Sequence, residues 1–146
     1  MLNEKNVEGK PGISKFQKIV LAVIGAVVFV AIIFGGKYLM SVQKYQNIVK
    51  DIKISKVDLS KISNGTYTGS CDALYVASEV SVTIKDHKIT NIILLKHKTE
   101  KGKSAEVITG NVVKAQSLQV DTITGATNSS KVILKSIENA LSSGKW

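Results

Sequence analysis

The chain has 146 residues, a formal net charge of +9, two histidines and one cysteine. A single cysteine excludes an intramolecular disulfide and any metal site built from several cysteines. All basic residues other than the histidines are lysines, and few aromatic residues interleave with them, so we expect no nucleic-acid partner. From Lys61 onward there are eleven lysines and seven acidic residues, so much of the positive excess lies around one apolar segment.

That apolar segment covers residues 19–36, eighteen positions without a charged or polar side chain. At about 1.5 Å per residue a helix of this length spans about 27 Å, close to a hydrocarbon core of about 30 Å. It is longer than a signal-peptide core of about 7–15 residues, and no small-residue cleavage site follows it. The sequence therefore predicts one transmembrane helix over 19–36, kept as an anchor behind a polar, disordered tail over 1–18.

The lysines around the span do not decide its orientation, because similar numbers flank each end. They are Lys10, Lys15 and Lys18 before the span, and Lys37, Lys44 and Lys50 after it. A short leading tail favours a cytoplasmic N-terminus only weakly. The membrane itself is an expected partner, since flanking lysines interact with anionic headgroups.

Residues 37–60 are predicted to be a stalk and linker. Apolar residues continue there at helical spacing: Leu39, Val42, Tyr45, Ile48, Val49 and Ile52. We expect the helix to continue beyond the span and to end before a domain that covers 61–146.

The 61–146 domain is predicted to be α+β, an antiparallel β-meander packed with two helices. Three segments have strand character: 63–70, 75–85 and 89–98. A tight connection at 86–88 joins the last two, and the density of isoleucine and leucine in 89–98 predicts a strand covered on both faces. Helical patterns follow at 103–117, bent near Thr109-Gly110, and at 129–143.

The histidines and the cysteine give no metal-ligand pattern, so no metal site is predicted. We expect His87 in a loop and His97 on a strand surface. Cys71 is expected to be a buried strand residue, with a free thiol as the alternative.

The segment Asp121–Ser130 leads directly into the last helix and carries the chemical signal. Gly125 and Ala126 keep the backbone accessible, and residues 128–130 are of N-cap type. The unpaired N–H groups and positive dipole end of a helix start suit a phosphate, with the Thr127 hydroxyl in reach. From these residues alone, a simple capping loop is an equally good interpretation.

Residues 65–141 resemble the FMN-binding domain family, which includes the covalently flavinylated subunits of sodium-pumping NADH:quinone reductase and of Rnf-type complexes. The family motif reads Asp-x-x-(Ser/Thr)-Gly-Ala-(Thr/Ser)-x-x-(Ser/Thr). All six constrained positions are present: Asp121, Thr124, Gly125, Ala126, Thr127 and Ser130. A Gly-Thr-Tyr-x-Gly start at residue 65, a strand ending near His97, a Gly102-Lys103 turn and Ala-Gln-Ser at 115–117 also fit.

The resemblance implies that a flavin transferase, using FAD and Mg²⁺, joins FMN to Thr127 Oγ through a phosphoester. Asp121 would support the modification or the loop geometry. The turn from His97 to Gly102, with the region 110–116, would form a wall for the flavin ring. Because such a transferase acts outside the cytoplasm, the N-terminus would be cytoplasmic and the domain extracytoplasmic at the cell membrane.

The implied function is an electron-transfer module between a redox donor protein and a redox acceptor protein. Two alternatives stay open: a flavin-dependent reductase of a small substrate, and a flavin-free binding or structural domain. No acid–base constellation lies around the motif, which argues against a stand-alone enzyme.

Overall fold

The computed structural model describes residues 12–145, and contacts divide the chain into two compact units, residues 1–41 and 42–146. The helices are α1 (Lys15–Asp51), α2 (Ile108–Ala115) and α3 (Thr127–Ser143). The strands are β1 (Gly65–Asp72), β2 (Ala77–Lys85) and β3 (Lys88–Lys98), and short 3₁₀ helices lie at Leu59–Lys61 and Lys103–Val107. The described part of the chain therefore has the predicted α+β class, with one long helix ahead of the domain.

Helix α1 begins at Lys15 because a capping box precedes it. The Gln17 N–H donates to Ser14 Oγ (3.2 Å), and the Ser14 N–H donates to Gln17 Oε1 (2.9 Å). Residues 1–11 of the predicted tail lie outside the described residues. Between residues 16 and 40 the large apolar side chains of α1 are exposed, and α1 is the one described helix long and apolar enough to cross a membrane. This supports single-pass membrane anchoring.

The three strands form an antiparallel meander in the order β1-β2-β3. Asp86 and His87 join β2 to β3 with φ values of 51° and 59°, and two consecutive positive φ values are the signature of a type I′ hairpin turn. This confirms the tight connection predicted there. Two irregularities in the β2–β3 register leave Thr90 and Leu95 without a direct partner in β2.

The main core lies between one face of the sheet and helices α2 and α3. The last helix, predicted from the sequence, contributes six buried apolar residues: Val132, Ile133, Leu134, Ile137, Ala140 and Leu141. Gly69 allows α3 to approach the sheet closely, because a Cβ there would overlap the α3 backbone at Ser136 and Ala140.

The prediction that the third strand is covered on both faces is wrong. β3 is an edge strand, and only its α-helical side is packed; Ile93 and Leu95 on the other side are 51% and 49% exposed. The many isoleucine and leucine residues of the segment therefore did not indicate a second packed face. Among the described residues, no second layer covers that face.

The helical stalk prediction is confirmed up to Asp51, and its end packs within the second unit. Val49 is buried with Ala73, Val76 and Val132, and the partly buried Tyr45, Ile48, Ile52 and Cys71 pack around them. We call these eight residues the satellite cluster. It joins the end of α1, the β1–β2 connection and the first turns of α3.

Candidate functional site

The candidate site is the start of α3 and the loop before it. The last helix was predicted to start at Ser129, but it begins at Thr127, with Ala126 in the N-cap position and no side-chain cap. The first helical hydrogen bond runs from the Ser130 N–H to the Ala126 carbonyl (2.9 Å). The N–H groups of residues 127–129 therefore precede the helical hydrogen-bond ladder, as at the N-terminus of any helix.

Ser130 does not act as the N-cap, because its hydroxyl supports the loop instead. It is fully buried, and its Oγ accepts a hydrogen bond from the Ile123 N–H at 3.0 Å. A buried serine in the first turns of a helix thus holds the preceding loop against the domain. The Ser130 hydroxyl is therefore committed to the loop.

Thr124 and Gly125 form the exposed tip of a tight turn. The Ala126 N–H donates to the Ile123 carbonyl (2.9 Å), and Gly125 has φ 79°. A positive φ at the third residue is the type II pattern, which favours glycine. No heavy atom lies within 4 Å of a Cβ built on Gly125, so the space beside the turn is open. Ala126 is buried, and Thr127 directly after it is exposed.

This geometry fits a phosphate group. Thr127 is the first helical residue, exposed, with three N–H groups outside the ladder beside it and an open turn in front. Backbone N–H groups and the positive end of the helix dipole stabilise an anion at this place. Asp121 is exposed six residues earlier, and no hydrogen bond or ion pair fixes its carboxylate within residues 12–145.

Gly102 lies against the first turn of α3. A Cβ on Gly102 would overlap Ser129 Oγ and stand 2.7 Å from Thr99 Oγ1. The Gly102 N–H donates to Thr99 Oγ1 (2.8 Å), and that hydroxyl is 3.2 Å from Ser129 Oγ. The predicted turn at Gly102 is therefore brought to the motif, where Thr99 and Gly102 support the helix start.

His97 is not on a strand surface, so that expectation is wrong. The irregularity at Leu95 shifts the register, His97 pairs with the buried Ser78, and its side chain is only 3% exposed. Nδ1 lies 3.1 Å from Glu106 Oε1, while Nε2 is buried without a hydrogen-bond partner. A strand irregularity leaves little trace in sequence, which is why the alternation did not reveal this.

The region 110–116 predicted as part of a flavin wall is held at the other end of β3. The Gln116 side chain accepts from the Ile89 N–H and donates to the Ile89 carbonyl, both at 2.8 Å. Ile89 lies near the start of β3 and His97 near its end. Gln116 is therefore bound at the opposite end of β3 from the Thr99 and Gly102 contacts with α3.

Sequence reasoning missed Tyr45 and Tyr75 beside the motif. The Asn128 side chain donates to Tyr45 Oη at 2.9 Å, and the two tyrosine rings meet edge to face with centroids 5.5 Å apart. The helical spacing placed Tyr45 on an apolar face, but nothing in the sequence linked α1 to residue 128, 83 positions later.

The described residues contain no group of three or more His, Cys, Asp or Glu that could hold a metal ion. Cys71 is a free, half-buried thiol. Burial raises the pKa of this thiol above its ordinary value, with a smaller opposing effect from Lys135. A raised pKa keeps the thiol protonated and lowers its reactivity.

The structure thus gives a small α+β domain with an exposed threonine at the start of a helix, a place where a phosphate group can be stabilised. No curated protein matches the sequence. The family model described as "FMN-binding domain" matches residues 77–142, which include β2, β3, α2, the motif loop and most of α3. This match supports the FMN-binding domain family for residues 77–142, and it supports a flavin-binding role for the domain.

Proposed function

We propose that this protein is a membrane-anchored flavoprotein that carries FMN on Thr127 Oγ through a phosphoester and transfers electrons outside the cytoplasm. The observation that carries the proposal is the exposed Thr127 at the first position of α3, in a domain of the FMN-binding family. The open turn at Gly125 gives a modifying enzyme access to that hydroxyl.

The modification needs FAD, Mg²⁺ and a flavin transferase as co-reactants. Thr127 Oγ forms a bond to the FMN phosphorus, and the pyrophosphate bond of FAD breaks. AMP leaves, and the threonine proton is released. The N–H groups at the start of α3 would stabilise the charge of the phosphoester, with no catalytic base of this chain required.

Bound FMN supplies reversible one- and two-electron chemistry, and the chain's residues supply position and access. Thr127, Thr124 and Gly125 are all exposed, so a protein donor or acceptor can approach the attachment point directly. This exposure favours relay between partner proteins over turnover of a small substrate, which needs a shaped enclosure.

The orientation follows from the same proposal. A transferase that acts outside the cytoplasm can reach Thr127 only if the 61–146 domain is extracytoplasmic and the N-terminus is cytoplasmic. Helix α1, with an apolar stretch long enough to cross a membrane, supports a single anchor for this arrangement.

The test is intact-protein mass spectrometry of the full chain, coexpressed with a flavin transferase and purified in detergent. We expect a gain of one FMN less one water, lost in Thr127→Ala and kept in Thr122→Ala. Thr122 is a matched control, since it is also exposed in the same loop but occupies an unconstrained position of the motif.

Two results would contradict the proposal. A folded, colourless chain without the gain would favour a flavin-free binding domain. A yellow chain without the gain would mean that FMN binds without a covalent bond, and it would remove the assigned role of Thr127.

A further inference from the structure

Asn128, the residue after Thr127, ties the start of α3 to the end of α1. Its side-chain amide donates a hydrogen bond to Tyr45 Oη at 2.9 Å. Tyr45 in turn meets Tyr75 edge to face, with the ring planes at 88° and the centroids 5.5 Å apart. Two half-exposed aromatic rings are therefore held next to the attachment residue.

The β1–β2 connection that carries Tyr75 is strained. Leu74 has φ 69°, and the Tyr75 N–H donates to the Ala73 carbonyl at 2.9 Å, a bond from residue i+2 to residue i. A positive φ inside such a bond is the pattern of the rare classic γ-turn. The turn is held by Asp72, whose Oδ1 accepts from the Leu74 N–H (2.7 Å), and by Lys98 Nζ, which donates to the Leu74 carbonyl (2.7 Å). Strain of this kind persists where the surroundings fix it, and it is concentrated at ligand sites.

The satellite cluster supports Tyr45 directly, because Tyr45 packs against its buried residues. Tyr75 is held by its ring contact with Tyr45, and its sequence neighbour Val76 is buried in the same cluster. The Tyr45 ring is therefore positioned by a small core of its own.

We propose that Tyr45 and Tyr75 form the surface on which the flavin ring docks once FMN is attached; the inference rests on the proposed function. The isoalloxazine is a flat aromatic system, and flat bases bind half-exposed aromatic side chains by stacking. The ribityl-phosphate arm starts at Thr127, one residue from the Asn128–Tyr45 hydrogen bond. Two of the other residues predicted to form a wall for the flavin are less available, because His97 is buried and Gln116 is bound to Ile89.

The experiment uses the full chain in detergent, matured with the transferase, and measures the mass gain and the flavin emission of each variant. Tyrosine quenches flavin emission when the ring lies against it, so the wild-type chain should be strongly quenched relative to free FMN. Tyr45→Leu and Tyr75→Leu should each lower the ratio of docked to undocked attached flavin at least about fivefold (about 1 kcal/mol) and raise the flavin emission. Tyr38→Leu, an exposed tyrosine in residues 1–41, is the matched control and should change nothing.

Tyr45→Phe separates the ring from the hydroxyl, and it keeps the packing of the satellite cluster. Phenylalanine is a poor electron donor to excited flavin, so docking in this variant is measured by the induced circular dichroism of the flavin bands and not by emission. That signal should be kept, whereas its loss would assign the effect to the Asn128 hydrogen bond and overturn stacking on Tyr45. A full mass gain with unchanged emission in both leucine variants would overturn the docking surface and leave the proposed function intact. No mass gain in the wild-type chain would overturn both.

Discussion

Replacing Gly102 with alanine tests whether the packing behind the motif positions the start of α3. Gly102 has φ −96° and ψ 16°, which alanine also adopts, so the substitution changes space and little else. The new Cβ would overlap Ser129 Oγ and stand 2.6 Å from Ser129 Cβ. Overpacking of this kind costs about 1–3 kcal/mol, and a loss of about 2 kcal/mol lowers the Tm of a domain this size by roughly 10 °C.

The same clash pushes on the first turn of α3, so we also expect slower FMN incorporation at Thr127. Thermal unfolding in detergent, followed by near-ultraviolet circular dichroism of the tyrosines, measures the first effect, and the mass gain over time measures the second. Ser129→Gly removes both overlapping serine atoms. The loss of stability in the Gly102→Ala/Ser129→Gly double variant should therefore be about 1 kcal/mol smaller than the sum of the two single losses.

The reasoning would be refuted by additive losses, or by a Gly102→Ala chain with unchanged Tm. Either outcome would mean that the loop moves away at no cost and that Gly102 does not position the helix start.

Two further predictions concern packing in the domain. Gly69→Ala should lower the free energy of unfolding by more than about 3 kcal/mol, because its Cβ meets the α3 backbone and no rotamer change relieves the overlap. Gly110→Ala, at a helical position with open space, should raise the free energy of unfolding by up to about 1 kcal/mol, and equal Tm values for the two variants would contradict this. The hydroxyl oxygens of Ser78 and Ser136 lie 2.6 Å apart in the core. Ser136→Ala should lower the free energy of unfolding by about 1–3 kcal/mol because it leaves the Ser78 hydroxyl unpaired, and Ser78→Ala should lower it less because Ser136 Oγ still donates to the Val132 carbonyl at 3.0 Å. Urea unfolding that gave the opposite order would exclude this account.

Much of the fold could be predicted because its signals are local. The uncharged segment 19–36 predicted the apolar part of α1, the strand character of 75–85 predicted β2, and the helical pattern in 129–143 predicted α3. The tight connection predicted at 86–88 is present as a turn at Asp86 and His87, both with positive φ values. These features depend on neighbours within a few positions, which a single sequence contains.

Two of the errors depend on partners distant in sequence, and the third depends on a contact between residues seven positions apart. Apolar density in β3 did not reveal that a three-stranded sheet leaves one face of Ile93 and Leu95 open. The inward turn of His97 depends on a register shift against β2. The last helix begins at Thr127 and not at the predicted Ser129. Ser130, which has an N-cap residue type, bonds through its hydroxyl to the Ile123 N–H in the loop.

The motif divides into residues that build the loop and residues that it presents. Ala126 and Ser130 are buried: one ends the turn from Ile123, and the other holds the Ile123 N–H from inside the helix. Both act on the same short loop, so together they fix where the first helical residue falls. Gly125 and Thr127 alternate with these buried positions and face solvent. A capping loop alone would need only a polar N-cap, and here the N-cap is alanine, with the hydroxyl moved one position further to Thr127. The arrangement loses about 1 kcal/mol of ordinary capping and leaves that hydroxyl free beside unpaired N–H groups. An exposed hydroxyl at this position supports the proposed attachment of a phosphate group at Thr127.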